Sequence, residues 1–338
     1  MKNSKLKFRE GEFIKLLDEA FFEVKGLVHP PRRVIAYPRY IPYEKGKRKL
    51  GRITYRKVYH MSERIRVIKK LYSQYLIFDE VFDETLCEVP KSDIRRKMDP
   101  VKGLMKLKRR ENLDEVERTA LELASLIKER SGISWNSIGI TGSVLLGLHT
   151  KESDIDLIVY GRNQSLKAYE ALKELRKENI VKPHSVKDLI QLHNFRSKDT
   201  PSPLEDFIET ESKKVVQGIF MGRWYFMRFV KDWSEVEEEY GSIKYRKLGY
   251  ATIKAVVIDD SESLFTPCKY LVDNVKVIEG VKVNSIREIA SFRGRFCEHA
   301  RKGEKLIARG KVELLIENEN RYARLLVGAS TSDYMIVA

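Results

Sequence analysis

The sequence predicts an α+β protein in three parts. A central mixed sheet with helices covers residues 111–241. A basic mixed α/β domain precedes it (1–110), and a β-rich barrel or sandwich follows (242–338). Three observations predict this. Two apolar strand-like runs, at 138–140 and 155–160, flank Gly142-Ser143 and a short helical stretch. Residues 1–110 hold 29 Lys+Arg against 14 Asp+Glu, so the whole net charge of +15 lies there. From Ser242 onward, short apolar runs are punctuated by Gly280, Gly294, Gly303 and Gly310.

With 338 residues, 42% hydrophobic and 33% charged, the chain fits a globular class of two or three domains. No apolar run approaches the length of a membrane span, and the first residues lack the apolar core of a signal peptide. Cys87, Cys268 and Cys297 are far apart in sequence and show no zinc-type pairing, which reads as buried thiols in a reduced, cytoplasmic setting. No Ser-His-Asp arrangement and no Walker loop is visible.

In the basic part, residues 21–28, 33–42 and 52–59 read as strands, the second confined to an edge by Pro38 and Pro42. They make a basic hairpin interleaved with Tyr37, Tyr40, Tyr43 and Tyr55. Such a hairpin either follows phosphates and stacks on bases or is a solvated loop over a tyrosine-rich core. Residues 62–77 read as an amphipathic helix with Ile65, Ile68, Leu71 and Tyr72 on one face, and 91–110 as a basic helix-loop linker.

The central part opens with a helix capped by Asn112 and Glu115, its apolar face formed by Val116, Ala120, Leu123, Ala124 and Ile127. A second amphipathic helix carries Leu166, Tyr169, Leu172 and Leu175. Residues 215–220 and 224–230 read as a hairpin about Met221-Gly222. The tail reads as strands at 250–258, 270–278, 286–292, 305–316 and 322–327. Phe292-Arg293-Gly294-Arg295-Phe296 reads as a turn or a nucleic-acid contact.

The chemistry gathers at Gly142-Ser143 and Asp154-Ile155-Asp156-Leu157. Side chains alternate along a strand, so Asp154 and Asp156 share one face while Ile155, Leu157 and Val159 point into a core. Paired carboxylates need positive charge, and magnesium favours one or two carboxylates plus substrate phosphates. Gly142 allows close backbone approach, Ser143 adds a hydroxyl, and free N–H groups follow at the helix start. His149 lies within this stretch, and Arg228 is a further cation able either to meet phosphate or to pair with an acid.

Gly142-Ser143, Gly147 and Ser153-Asp154-Ile155-Asp156-Leu157 resemble the signature of the DNA polymerase β-like nucleotidyltransferase superfamily, and its minimal members most closely. The layout as a whole is similar to uncharacterised archaeal nucleotidyltransferases. The resemblance implies a nucleotidyltransferase-fold central sheet, with Asp154 and Asp156 as catalytic residues and ligands of magnesium (or manganese). It assigns nucleotide binding to Gly142 and Ser143. It also implies a third carboxylate on a later strand. Residues 224–230 carry none, leaving Asp232, Asp259 and Asp260 as candidates.

The function expected is metal-dependent transfer of a nucleoside monophosphate from an NTP to an acceptor, with release of pyrophosphate. The basic first domain points to nucleic acid as acceptor, RNA before DNA. The alternative is an inactive transferase-fold protein that binds nucleic acid or nucleotide.

Overall fold

Ile155, Leu157 and Val159 are buried, while Asp154 before them and Asp156 among them stay partly open. This alternation organises the middle of the molecule. The structure, a computed structural model, describes residues 7–283 and 285–338. Among these are nineteen strands in three sheets and seven helices.

The first sheet contains β1 (Phe13–Leu16), β2 (Phe21–Val24), β3 (Arg33–Pro42), β4 (Arg48–Leu50) and β5 (Ile53–Lys57). After α1 (Met61–Leu71) come β6 (Leu76–Asp79), β7 (Glu84–Pro90) and β8 (Ile94–Met98). The order is β4-β5-β3-β2-β1-β8, with β7 also on β3 and β6 on β7. The edge position expected for β3 is corrected. It pairs with β2 on one side and, on the other, with β7 over residues 33–35 and β5 over residues 40–42. Pro38 falls in the gap between those two partners, so its missing N–H costs no ladder bond. α1 ends at Leu71, six residues before the expected end, because Tyr72 turns inward and residues 76–79 pair with β7. Its inward residues are Val67 and Ile68, while Ile65 and Leu71 are exposed. The expected linker is instead β8, on the edge of this sheet, followed by α2 (Pro100–Lys108). Asp99 caps α2, accepting from the backbone N–H of Val101 at 2.9 Å and of Lys102 at 3.2 Å.

Next come α3 (Glu115–Ser131), β9 (Ile138–Ile140), α4 (Gly142–Leu146), β10 (Ile155–Tyr160) and α5 (Arg162–Lys177). Then follow β11 (Val181–Lys182), α6 (Val186–Arg196), α7 (Leu204–Lys213), β12 (Gln217–Phe220) and β13 (Arg223–Val230). The capping box of α3 is Asp114 with Glu117, two residues beyond the expected pair. Both pairs fit the pattern, but an aspartate is favoured over an asparagine at the positive end of a helix, and Val116 is the first inward residue. The sheet order is β11-β12-β13-β10-β9, with β10 and β13 parallel and the other pairs antiparallel. The expected hairpin about Met221-Gly222 is present. Ile155, Leu157 and Val159 join α2, α3 and α5 in one core.

The other face of β10 carries Asp156, then Ile158 and Tyr160. These last two pack under Leu27 and Val101. The first sheet is tied down here: Thr141 donates its hydroxyl to the Gly11 carbonyl at 2.6 Å, and the Arg9 guanidinium lies 3.3 Å from the Tyr160 ring centre. Thus the basic part roofs the acid-bearing face.

The final sheet comprises β14 (Lys244–Asp259), β15 (Cys268–Gly280), β16 (Ile286–Ser291), β17 (Lys305–Glu317), β18 (Asn320–Leu326) and β19 (Tyr334–Val337). Its pairings run β14-β15-β16-β18-β17 and return through β17 to β14, a closed circuit around its own apolar core. All three cysteines are buried and free. No helix among the described residues is long and apolar enough to cross a membrane.

Candidate active site

β9 leads into Gly142, whose φ of +64° suits glycine, and the chain then turns into the five-residue α4. β9 pairs antiparallel with β10, and the Thr141 N–H donates to the Asp156 carbonyl at 2.9 Å. This brings Gly142 directly against the Asp156 side chain. Ser143 is 4% exposed. The apolar side of α4, with Leu146 and Leu148, is packed by Phe13, Phe21, Tyr40 and Tyr55 of the first sheet.

Asp154 and Asp156 both line a cavity of about 1150 Å³, as their spacing predicts. Residues of all three sheets share it: Arg39, Lys57 and Tyr59 from the first part, Trp224, Phe226 and Arg228 from β13, and Arg293 and Arg295 from the tail. Gly142 and Ser143 are not in its lining, so they meet it through Asp156.

Burial, reinforced by the charge of Asp154, pushes the Asp156 carboxyl up to about 7, while Lys57, Arg39 and Arg228 pull the other way. Burial and Arg39 lower the Lys57 ammonium, and the two aspartates oppose them. Repelling carboxylates in a partly buried setting, with hard oxygen donors on one face, form a set that suits a divalent cation.

Arg228 is anchored. It pairs with Glu10, a fully buried residue of the first part that also accepts from the Gly26 N–H at 2.8 Å and from Lys25 Nζ at 2.9 Å. Burial works against ionisation of Glu23, yet Lys25, Arg39, Arg64 and Arg228 hold its carboxyl well below the usual carboxylate range.

The third-carboxylate candidates lie elsewhere, and none lines the cavity. β10 and β13 are parallel with Asp156 beside Phe226, so Asp232, six residues on, is about 20 Å further along the sheet. There it caps a turn and pairs with Arg9 at 2.9 Å. Asp259 accepts from the Ser261 N–H at 2.7 Å, and Asp260 belongs to the same turn. On the acid-bearing face, β13 presents Trp224, Phe226 and Arg228.

His149 pairs with Asp114 at 2.7 Å. Together with Glu117 these place ligand-type atoms within 4.8 Å of one another, but both carboxylates already serve the α3 capping box and Glu117 also takes Arg110. Of the hairpin tyrosines, Tyr40 and Tyr55 are buried core and Tyr43 is exposed. Residues 294–296 form a short 3-10 turn; Phe292, Arg293, Gly294 and Arg295 line the cavity while Phe296 is buried in the core of the final sheet, so this stretch is both a turn and part of the lining. Arg39, Lys57 and Tyr59 were not singled out as site residues from sequence; only the surplus of positive charge in their region signalled them.

The family profile described as a nucleotidyltransferase domain matches residues 122–215. Over 334 residues, 96% of each chain, the sequence is 32% identical to the "Uncharacterized protein MJ1086" of Methanocaldococcus jannaschii. No solved structure matches.

Proposed function

Because this chain belongs to the DNA polymerase β-like nucleotidyltransferases, we propose that it transfers a nucleoside monophosphate from an NTP to the hydroxyl of a nucleic-acid acceptor, RNA before DNA. The observation that carries this reading is the position of Asp154 and Asp156. Asp154, immediately before β10, and Asp156, on it, both open into a cavity walled by cations and aromatic rings, with Gly142 against Asp156.

Asp154 and Asp156 would hold the divalent cation, magnesium or manganese. When bound, that ion supplies charge to the phosphate oxygens during displacement. Gly142 lets the bend close against Asp156, and Ser143, buried beside it, is the residue we assign to the β- and γ-phosphates once the Asp156 side chain moves aside. Lys57 faces the acid pair and adds charge to the same region. The acceptor hydroxyl gives up its proton to solvent as its oxygen bonds to the α-phosphorus and the bond to the leaving oxygen breaks, and pyrophosphate departs. Arg39, Lys57 and Arg64 bring the positive field of the first part into the cavity, which supports a polyanionic acceptor.

Incubation with each labelled NTP, magnesium and total RNA tests the reading. Label transfer that is lost in Asp154→Asn supports it. Retained RNA binding with no transfer to any acceptor replaces it by the binding-only alternative.

A further inference from the structure

We propose that Arg293 and Arg295, with Tyr59, form a second anion site that holds the phosphate next to the attacking hydroxyl of a nucleic-acid end. The inference rests on reading the cavity as a nucleotidyl-transfer site.

Position comes first. Across the acid-bearing face the strands run β9, β10, β13. Gly142 follows β9 and touches Asp156 on β10. Phe226 stands beside Asp156 in the parallel register, on the same face. A Cβ added to Gly294 would sit 2.8 Å from the tip of the Phe226 ring, so the turn holding Arg293 and Arg295 is seated on that ring. The order across the site is therefore Gly142, Asp156, Phe226, arginine turn. In an in-line displacement the attacking and leaving oxygens lie on opposite sides of the phosphorus. With the leaving phosphates on the Gly142 side, the acceptor enters from the side of the arginines.

Charge comes second. Asp199 is fully buried, and its single carboxylate serves Arg293 Nη2 at 3.1 Å, Arg295 Nη2 at 3.9 Å and the Met61 N–H at 3.1 Å. His60 Nδ1 lies 3.4 Å from it. Arg196 beside them is taken by Glu211 at 2.8 Å, and Glu211 also holds Lys214 at 2.6 Å. One carboxylate shared by two guanidiniums leaves positive charge facing the cavity. Burial alone would raise the Tyr59 phenol, yet it lies below its ordinary value because Arg295, Arg39, Arg196 and Arg293 face it. Burial and Arg293 push the Arg295 guanidinium down to about 9. Guanidinium forks match phosphate oxygens in two-point contacts. The rings of Tyr59 and Phe195, 4.5 Å apart, give a neighbouring base an aromatic surface.

The test compares two short RNAs as acceptors for the full-length protein, one natural and one whose last linkage is an uncharged methylphosphonate. The natural RNA is expected to show a kcat/KM about tenfold higher or more, the ratio set by one charge-assisted contact. Arg293→Gln/Arg295→Gln is expected to erase that difference while leaving the KM for NTP unchanged. Equal use of both RNAs by the wild-type protein overturns the proposal, independently of whether the variant folds. A raised KM for NTP in the variant also overturns it, since the arginines would then serve the triphosphate. If the wild-type protein transfers nothing, the proposed function fails, and calorimetric binding of the same two RNAs decides the subsite. Charge-dependent binding that is lost in the variant supports it, and equal binding overturns it.

Discussion

Gly142 stands against the carboxylate of Asp156 with no room for a side chain between them. A Cβ built on Gly142 would overlap Oδ2 and come within 3.0 Å of Cγ. The φ of +64° adds a backbone penalty for any other residue. Gly142→Ala is therefore expected to cost about 1–2 kcal/mol of stability and to displace the carboxylate. Denaturant titration should show the modest loss, and the transfer assay a fall of about a hundredfold or more, on the scale of losing one electrostatic contact to the reacting phosphate.

Arg228 and Glu10 join the central sheet to the first part across 218 residues of sequence. Glu10 is fully buried and in Arg228→Met keeps Lys25 and the Gly26 N–H as partners, so the loss expected is that of one charge-assisted contact, about 1.5–3 kcal/mol. Adding Glu10→Gln should recover part of this, and a double-mutant cycle by chemical denaturation measures the coupling.

Asp154 and Asp156 oppose each other in the metal-free protein. Asp156→Asn removes one of two repelling charges and keeps the shape of the side chain. It is expected to stabilise the protein by roughly 1–3 kcal/mol in the presence of EDTA while abolishing transfer. Calorimetric Tm against the label assay checks both; a lower Tm would contradict the repulsion described here.

Glu88 is 2% exposed, and burial with the nearby Asp79 raises its carboxyl to about 7. Its folded value lies above its unfolded one, so the native state binds the extra proton between about pH 4.5 and 7. The associated stability is fully present below that window and is lost as pH rises through it, by about 3 kcal/mol for a shift of this size. Glu88→Gln should flatten this fall, as read from denaturation midpoints at a series of pH values.

Local pattern made part of this protein legible in sequence. Period-two alternation set Asp154 and Asp156 on one face and Ile155, Leu157 and Val159 in the core, and Met221-Gly222 marked its hairpin. These features depend on backbone geometry within a few residues, which local residue order encodes directly. Near misses arose where two local signals competed, as with Asn112 and Asp114 before α3, or where pairing supplied a partner that local pattern does not reveal, as with Pro38 in β3. The rest was decided by assembly. Asp232 looked close to the acids because a hairpin strand ends there, yet parallel pairing with β10 carries it to the far end of the sheet. Arg39, Lys57, Arg228 and Arg295 face one cavity only because three sheets pack around it. Residue order alone places two acids at alternate positions and a glycine bend before them; tertiary packing decides which cations surround them, because long-range electrostatic neighbours leave no periodic trace along the chain.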